Sequence, residues 1–101
     1  MAVIYEVTLH VDDAIAAEYL AWLRAHIGQV LALPGFEEAE LAALEEDDAG
    51  QSAWCVRYRL RDRAALDAYF RDHAARMRAD GTARFGDAFR ASRRILLPIE
   101  R

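Results

Sequence analysis

Residues 3–11 alternate strictly between two sets of side chains, and this alternation constrains the fold more than any other feature of the chain. A period of two is typical of a β-strand with one buried face. The side chains of the first set are Val3, Tyr5, Val7, Leu9 and Val11, and those of the second are Ile4, Glu6, Thr8 and His10. Asp12 and Asp13 follow, and they supply an N-cap and two negative charges that favour the start of a helix.

Two segments show the helical spacing of apolar residues instead. The first runs from Ile15 to Leu33 and ends before Pro34-Gly35. The second is capped by Asp62 and is predicted to end at Asp80-Gly81, because glycine commonly follows the last helical turn. Residues 82–89 are predicted to add one short helical turn, and residues 92–99 to form the last strand.

The middle of the chain is predicted to form two strands. Residues 52–60 alternate clearly. Residues 36–46 are richer in Ala and Glu, which are poor strand formers, so a helix is the alternative there. A strand is favoured because residues 46–50 resemble a hairpin turn. The acidic residues 37–48 are interpreted as a solvated edge that discourages aggregation.

The predicted order βαββαβ indicates an α+β, ferredoxin-like fold. Two right-handed crossovers place both helices on one face of a four-stranded antiparallel sheet in the order 4-1-3-2. The more apolar face should meet the helices. Its residues are Tyr5, Val7, Leu9, Trp54, Val56, Tyr58, Ile95 and Leu97.

The opposite side of the sheet, here called the open face, has no helix to cover it. It is either solvated or packed against a second sheet, and the small size of the domain favours a homodimer. The residues expected on this dimer face are Glu6, Thr8, Cys55, Arg57 and Arg94. Glu6 and Arg57 are interpreted as an ion pair that fixes register, with a site for a polar ligand as the alternative.

Length and composition bound the class of protein. The 101 residues fit one domain, residues 1–101. A net charge of −4 argues against binding to nucleic acid or to an anionic membrane. The single cysteine allows no intrachain disulfide, and the N-terminus shows no signal peptide, so a cytoplasmic location is expected. An RNA-recognition domain is disfavoured. Such a domain stacks RNA bases on aromatic residues of its open face, whereas Tyr5, Trp54 and Tyr58 are predicted on the helix-covered face of this chain.

Two histidines, His26 and His73, fall on the inward stripes of the helices. Together with Trp22, Tyr58 and Tyr69 they could line a pocket for a small aromatic molecule between helices and sheet. The alternative is that the same side chains form a packed core, because the two cases share one helical spacing. The three histidines lie on different elements without further ligands at metal-binding spacing, so neither metal nor cofactor is expected.

Several segments resemble an uncharacterised bacterial family, the domain-of-unknown-function family 4286. They are Ile4-Tyr5-Glu6-Val7, Tyr19-Leu20-Ala21-Trp22, His26, Leu33-Pro34-Gly35-Phe36, Tyr69, His73-Ala74 and, most specifically, Arg84-Phe85-Gly86-Asp87-Ala88-Phe89. That family is similar to the dimeric α+β barrel superfamily, which includes cofactor-free monooxygenases, muconolactone isomerases and haem-binding relatives. The resemblance implies the fold and a face-to-face sheet dimer, and it implies no activity.

Two classes of function are therefore expected. The first is a dimeric module that binds a small molecule or a protein. The second is a cofactor-free enzyme of the monooxygenase or isomerase kind. A cavity bordered by His26 or His73, with Trp22 and Tyr69 in its wall, would favour the enzyme, and a tightly packed interior would exclude it.

Overall fold

The computed structural model describes residues 1–46 and 49–101. In chain order its elements are β1 (Val3–Asp12), a short 3-10 helix (Asp13–Ile15), α1 (Ala16–Leu31), β2 (Phe36–Ala43), β3 (Gln51–Leu60), α2 (Arg63–Asp72), α3 (Ala74–Phe85) and β4 (Phe89–Leu96). The strands form an antiparallel sheet in the order β2-β3-β1-β4. This is the predicted order read from the other edge, so the ferredoxin-like α+β fold is confirmed.

The register of the sheet follows the period of two in β1 and β3. Tyr5 lies opposite Tyr58, and Val7 lies opposite Val56. All four side chains point to the side of the sheet that the helices cover, and Val56 is 1% exposed. Burial of such side chains contributes about 1.5–3 kcal/mol each relative to exposure. A slip by one residue would move the whole set to the open face, which explains why this register is well specified.

The second predicted helix is two helices, because the chain leaves helical geometry at His73 (φ −133°, ψ −30°). Asp62 caps α2 as predicted, and its Oδ1 accepts a hydrogen bond of 2.8 Å from the backbone N–H of Ala65. The predicted end at Asp80-Gly81 is wrong, since α3 continues to Phe85. Gly81 stays helical, and the glycine that follows the helix is Gly86, at φ +58°.

The last strand is shifted from its predicted position. The prediction of a separate short helical turn over residues 82–89 is wrong. Residues 82–85 belong to α3, and β4 begins at Phe89. Leu97 was expected against the helices, but it lies beyond β4 and is 62% exposed. Leu96 pairs with Ile4 and is the last residue of β4, and Pro98, two residues further on, has no N–H with which to continue the ladder.

The segment between β2 and β3 is partly outside the described residues. β2 is a strand, as predicted, but it ends at Ala43 rather than at residue 46. The hairpin turn predicted over residues 46–50 includes residues 47 and 48, which lie outside the described part of the chain. The expected acidic edge over residues 37–48 also extends into them.

A tight contact joins the α1–β2 turn to α2. Gly35 has φ +86°, a conformation that favours glycine. A Cβ atom at this position would come within 2.4 Å of the Cβ of Ala65. The backbone oxygen of Gly35 also accepts a hydrogen bond of 2.9 Å from the N–H of Arg61. The turn thus holds the start of α2 against the end of α1, and so fixes one side of the space between helices and sheet.

Candidate functional site

A cavity of about 330 Å³, here called the central cavity, lies between the helices and the sheet. Its wall combines residues from α1, α2, α3 and three strands. The aromatic part includes Tyr5, Tyr19, Trp22, Tyr58, Tyr69 and Phe89. This volume is at the lower end of the range for small-molecule sites. The space between helices and sheet is therefore not filled completely by side chains.

Four of the five residues predicted to line a pocket meet at this cavity. Trp22 and His26 come from α1, Tyr58 from β3 and Tyr69 from α2. His73 lies apart, at the junction of α2 and α3, where its Nδ1 is 3.0 Å from a terminal nitrogen of Arg76. The helical stripe that grouped His73 with the others assumed one continuous helix, and the break at His73 removes that spacing.

Trp22 and His26 form a partition between the central cavity and a second depression, here called the outer groove. The two rings stack with centroids 4.6 Å apart. Trp22 Nε1 donates a hydrogen bond of 3.2 Å to Asp80 Oδ2 on α3. Gly81 provides the room for the indole, because a Cβ there would lie 2.9 Å from Trp22 Cη2. The outer groove measures about 490 Å³ and shares both rings with the cavity.

His26 is buried in an unusual way. Within the described part of the chain, its Nδ1 is a buried side-chain nitrogen without a hydrogen-bond partner. Burial lowers the pKa of His26, and Arg93 lowers it further, against the opposing effect of Asp80. The ring is therefore neutral at neutral pH.

The same burial selects the tautomer of His26. A proton on Nδ1 would leave a buried donor unpaired, which costs about 1–3 kcal/mol. A proton on Nε2 leaves only a lone pair unpaired, and buried acceptors without a partner are less rare than buried donors. Nε2 thus carries the proton, and His26 can donate a hydrogen bond to a bound molecule.

Three tyrosine hydroxyls also face accessible space. Burial raises the pKa of Tyr19 to about 12 and that of Tyr69 to about 12, and it raises the pKa of Tyr58 as well. The hydroxyls therefore stay protonated. Among the side-chain hydrogen bonds of residues 1–46 and 49–101, none involves these three groups, and none of them is a fully buried unpaired atom. They are available to a ligand as donors.

Two arginines of the cavity wall, Arg78 and Arg93, were not predicted as site residues. Arg78 donates a hydrogen bond of 3.1 Å to the hydroxyl of Tyr5, and its guanidinium lies 6.0 Å from the ring centre of Phe70. Arg93 lies on the helix-covered side of β4, opposite Val7. The alternation of β4 places it on that side together with Ile95, and an arginine on an apolar face was the signal available in the sequence.

The open face carries the five residues predicted for a dimer interface. Glu6 is 3% exposed, and it lies between two arginines of the neighbouring strands. Arg57 Nε donates to Glu6 Oε2 at 2.7 Å, and Arg94 Nε donates to Oε1 at 2.5 Å. These three residues are here called the Glu6 cluster. The hydrogen bond from Arg94 lowers the pKa of Glu6 most, and that from Arg57 also lowers it, against the opposing effect of burial.

Cys55 and Thr8 lie opposite each other on this face, next to the Glu6 cluster. Cys55 is 8% exposed, and burial raises the pKa of its thiol, followed by the nearby charge of Glu6. A thiol in this state is a poor nucleophile. Cys55 therefore contributes packing to the face rather than chemistry.

Among residues 1–46 and 49–101, no three His, Cys, Asp or Glu side chains come together as metal ligands would. None of the helices in this part of the chain has the length and the hydropathy that crossing a bilayer requires.

Comparison with known proteins identifies a family. The model of the family described as Domain of unknown function (DUF4286) matches residues 2–99. No curated protein sequence matches the chain. The predicted resemblance to this family is thereby confirmed.

Solved structures share the fold at low sequence identity. A candidate antibiotic biosynthesis monooxygenase from Nitrosomonas europaea has a TM-score of 0.74 and 11% identity, over 97% of this chain and 90% of its own. One from Deinococcus radiodurans has a TM-score of 0.73 and 13% identity, over 98% and 94%. A variant of SnoaB, a cofactor-independent oxygenase from Streptomyces nogalater, has a TM-score of 0.70 and 13% identity, over 98% and 95%. At these identities the likeness shows the fold.

Proposed function

The chain belongs to the DUF4286 family, whose description assigns no function, and from its geometry we propose that it binds a small planar aromatic molecule in the central cavity. One observation carries this proposal. The cavity has aromatic walls, while His26 Nε2 and the hydroxyls of Tyr19, Tyr58 and Tyr69 remain without a partner in the described part of the chain. Apolar walls with a few convergent polar groups are the usual form of a ligand site.

Aromatic side chains suit a planar ligand for a physical reason. Ring pairs in contact contribute about 0.5–1.5 kcal/mol beyond the area they bury. The ring of Tyr19 already lies 5.3 Å from Trp22 and 5.0 Å from Phe89, measured between centroids. A flat ligand between such rings would gain the same contacts, and the hydroxyls would orient its polar substituent.

Filling the cavity tests this proposal. Ala91 lines it from β4, so Ala91→Phe should occupy the space where a ligand would lie. Ala79→Phe adds the same side chain on the exposed surface of α3 and is the matched control. The probe is 2-naphthol, titrated by calorimetry into each protein after thermal melting has shown that it is folded. We expect binding to the unmodified chain and to Ala79→Phe, and loss of binding in Ala91→Phe.

The proposal fails if 2-naphthol does not bind the unmodified chain. It also fails if Ala91→Phe binds the probe as well as Ala79→Phe does, because the probe would then lie outside the central cavity.

A cofactor-free monooxygenase- or isomerase-like enzyme is the second candidate. It is supported by the border of the cavity, which includes His26, Trp22 and Tyr69, and by the fold shared with SnoaB. The wall supplies donors that could stabilise a developing oxyanion. His26, however, presents a proton rather than a free lone pair, and the described residues that line the cavity include no carboxylate to act as a base. Binding is therefore favoured over catalysis.

Oxygen uptake tests the enzyme candidate. The chain would be incubated with hydroquinones and polycyclic phenols in an oxygen electrode, next to Ala91→Phe. Uptake that exceeds the rate without protein and disappears in Ala91→Phe would favour an oxygenase. Equal rates with both proteins would exclude this activity for these substrates.

We further propose that the chain is a homodimer joined through the open face, in the cytoplasm of a bacterium. The uncovered sheet and the central Glu6 cluster support the dimer, because a sheet of this size gains stability from a second layer. The free thiol of Cys55 supports a reducing compartment. Native mass spectrometry of the purified chain should give twice the monomer mass, and a monomer at micromolar concentration would contradict the dimer.

A further inference from the structure

The polar side-chain groups around the central cavity are all able to donate hydrogen bonds, and this favours a ligand with a negative charge. They are the guanidinium groups of Arg78 and Arg93, the Nε2–H of His26 and the hydroxyls of the tyrosines. The hydroxyl of Thr82 also lines the cavity, but it donates at 3.4 Å to the backbone oxygen of Arg78. Among the described residues that line the cavity there is neither an aspartate nor a glutamate. The guanidinium groups and the Nε2–H can only donate, and the tyrosine hydroxyls can donate or accept, so a ligand that supplies acceptors satisfies all of them, and a negative charge satisfies the guanidinium groups best.

Arg93 differs from its neighbour Arg94 in a way that points to the position of that charge. The two side chains lie on opposite faces of β4. Arg94 is paired with Glu6 on the open face. Within residues 1–46 and 49–101, the ion pairs and side-chain hydrogen bonds include none for Arg93. It is exposed and stands on an edge strand at the border of the cavity.

Arg78 is less suited to hold the charge of a ligand. Its guanidinium already donates to the hydroxyl of Tyr5 and lies against the ring of Phe70. Arg93 is therefore the cation that a ligand can reach without breaking a protein contact. A guanidinium presents paired donors that match the two oxygens of a carboxylate.

We propose that the central cavity selects planar aromatic molecules that carry a carboxylate, with the rings inside the cavity and the carboxylate paired with Arg93 at its border. The proposal rests on the proposed function, since it names the class of ligand for the same cavity. The arrangement keeps the charge close to water and buries only the apolar rings. It avoids the high cost of burying an unpaired charge.

Two probes of similar shape test whether the site prefers a negatively charged ligand to a neutral one. 2-Naphthoate carries the carboxylate, and 2-naphthamide replaces it with a neutral amide. Calorimetric titration of the unmodified chain should give a dissociation constant about tenfold lower for the naphthoate, the usual scale of a charge-assisted hydrogen bond. Rising salt should weaken the binding of naphthoate and leave that of naphthamide unchanged, because only the first involves an ion pair.

The variants assign the effect to one residue. Arg93→Met keeps the length of the side chain and removes its charge, so it should bind both probes with the affinity of the unmodified chain for naphthamide. Arg24→Met is the control, because Arg24 is exposed on α1 and its loss changes the net charge equally. Arg24→Met should keep the preference for naphthoate.

The possible results separate this inference from the function on which it rests. If both probes bind equally to the unmodified chain, the cavity binds aromatic molecules but the assignment of a carboxylate is overturned. If Arg93→Met keeps the preference, the role of Arg93 is overturned. If neither probe binds, the proposed function itself is contradicted, together with the inference.

Discussion

Glu6 and Arg57 lie directly opposite each other on β1 and β3, and Glu6 Oε2 is 2.7 Å from Arg57 Nε. Arg94, opposite Glu6 on the other neighbouring strand, completes the Glu6 cluster. One carboxylate thus joins three adjacent strands at the middle of the sheet. Its side chain is 4% exposed, whereas those of Arg57 and Arg94 are 51% and 66% exposed. The carboxylate, not the guanidinium groups, depends on the pairing.

Glu6→Gln should destabilise the fold. The substitution keeps one acceptor but removes the charge that both arginines share, and a lost hydrogen bond to a charged group costs about 1–3 kcal/mol. We expect a decrease of that size in the free energy of unfolding, measured with urea at pH 7. Glu37→Gln is the control, because Glu37 and Arg59 form a pair of 3.6 Å with both side chains about half exposed. An equal effect of the two substitutions would contradict the prediction.

The stability of the chain should decrease in acid in a way that depends on Glu6. The folded-state pKa of Glu6 is lowered from the ordinary value of 4.5. A lowered pKa means that the stabilisation is present above pH 4.5 and is lost as the pH falls through the folded-state value. Urea unfolding at pH 7 and at lower pH values should therefore show the difference between the unmodified chain and Glu6→Gln becoming smaller in acid. A constant difference would contradict this linkage.

Gly28→Ala and Gly81→Ala should have different effects on the free energy of unfolding. Both glycines lie inside helices, where alanine is favoured by about 1 kcal/mol. Around Gly28 there is nothing within 4 Å of an added Cβ, so Gly28→Ala should increase the free energy of unfolding. At Gly81 the added atom would meet the indole of Trp22.

We therefore expect Gly81→Ala to show no increase in stability. The displaced indole should also shift the tryptophan emission spectrum. Unfolding curves and emission spectra of both variants check this, and an equal gain at both positions would show that the indole moves freely.

Gly35→Ala should be more costly than Gly86→Ala. Both positions have a positive φ, which is strained for an ordinary residue. Gly86 has open space around an added Cβ, whereas Gly35 faces Ala65 on α2. Gly86→Ala therefore strains only its own backbone. Gly35→Ala must in addition move the α1–β2 turn away from α2. Thermal unfolding should show the larger decrease in melting temperature for Gly35→Ala, and equal decreases would refute the contact.

Much of the fold was predictable because β1 and β3 carry unambiguous alternation, which determines both their faces and their register. The errors occur where one residue type has two physical explanations. Gly81 was interpreted as a helix stop, but it is a small residue that makes room for Trp22. Leu97 continues the alternation of β4, but it precedes Pro98, which has no N–H for the ladder, and the strand ends at Leu96. The contact between Gly81 and Trp22 is tertiary, and local pattern does not contain it.

The candidate site was also predictable only in part. Trp22 and His26 are four residues apart on one helix, so their meeting at the cavity followed from helical spacing. His73 was grouped with them on the assumption of one helix from residue 62 onward, and the break at that residue separates it. Arg93 was not predicted as a site residue, because a lone arginine in an apolar alternation has no partner in the sequence to indicate what it contacts.

The strand order has a consequence for the newly made chain. Among the four strands of this sheet β1 is synthesised first, yet it is an inner strand, and both of its partners come later, at Gln51–Leu60 and Phe89–Leu96. Strands that are far apart in the sequence pair slowly, and an apolar strand that is still unpaired is prone to aggregation. The final strand also brings Ala91 and Arg93. During synthesis the wall of the central cavity is therefore completed with β4, so the proposed ligand would bind only a chain whose sheet is already complete.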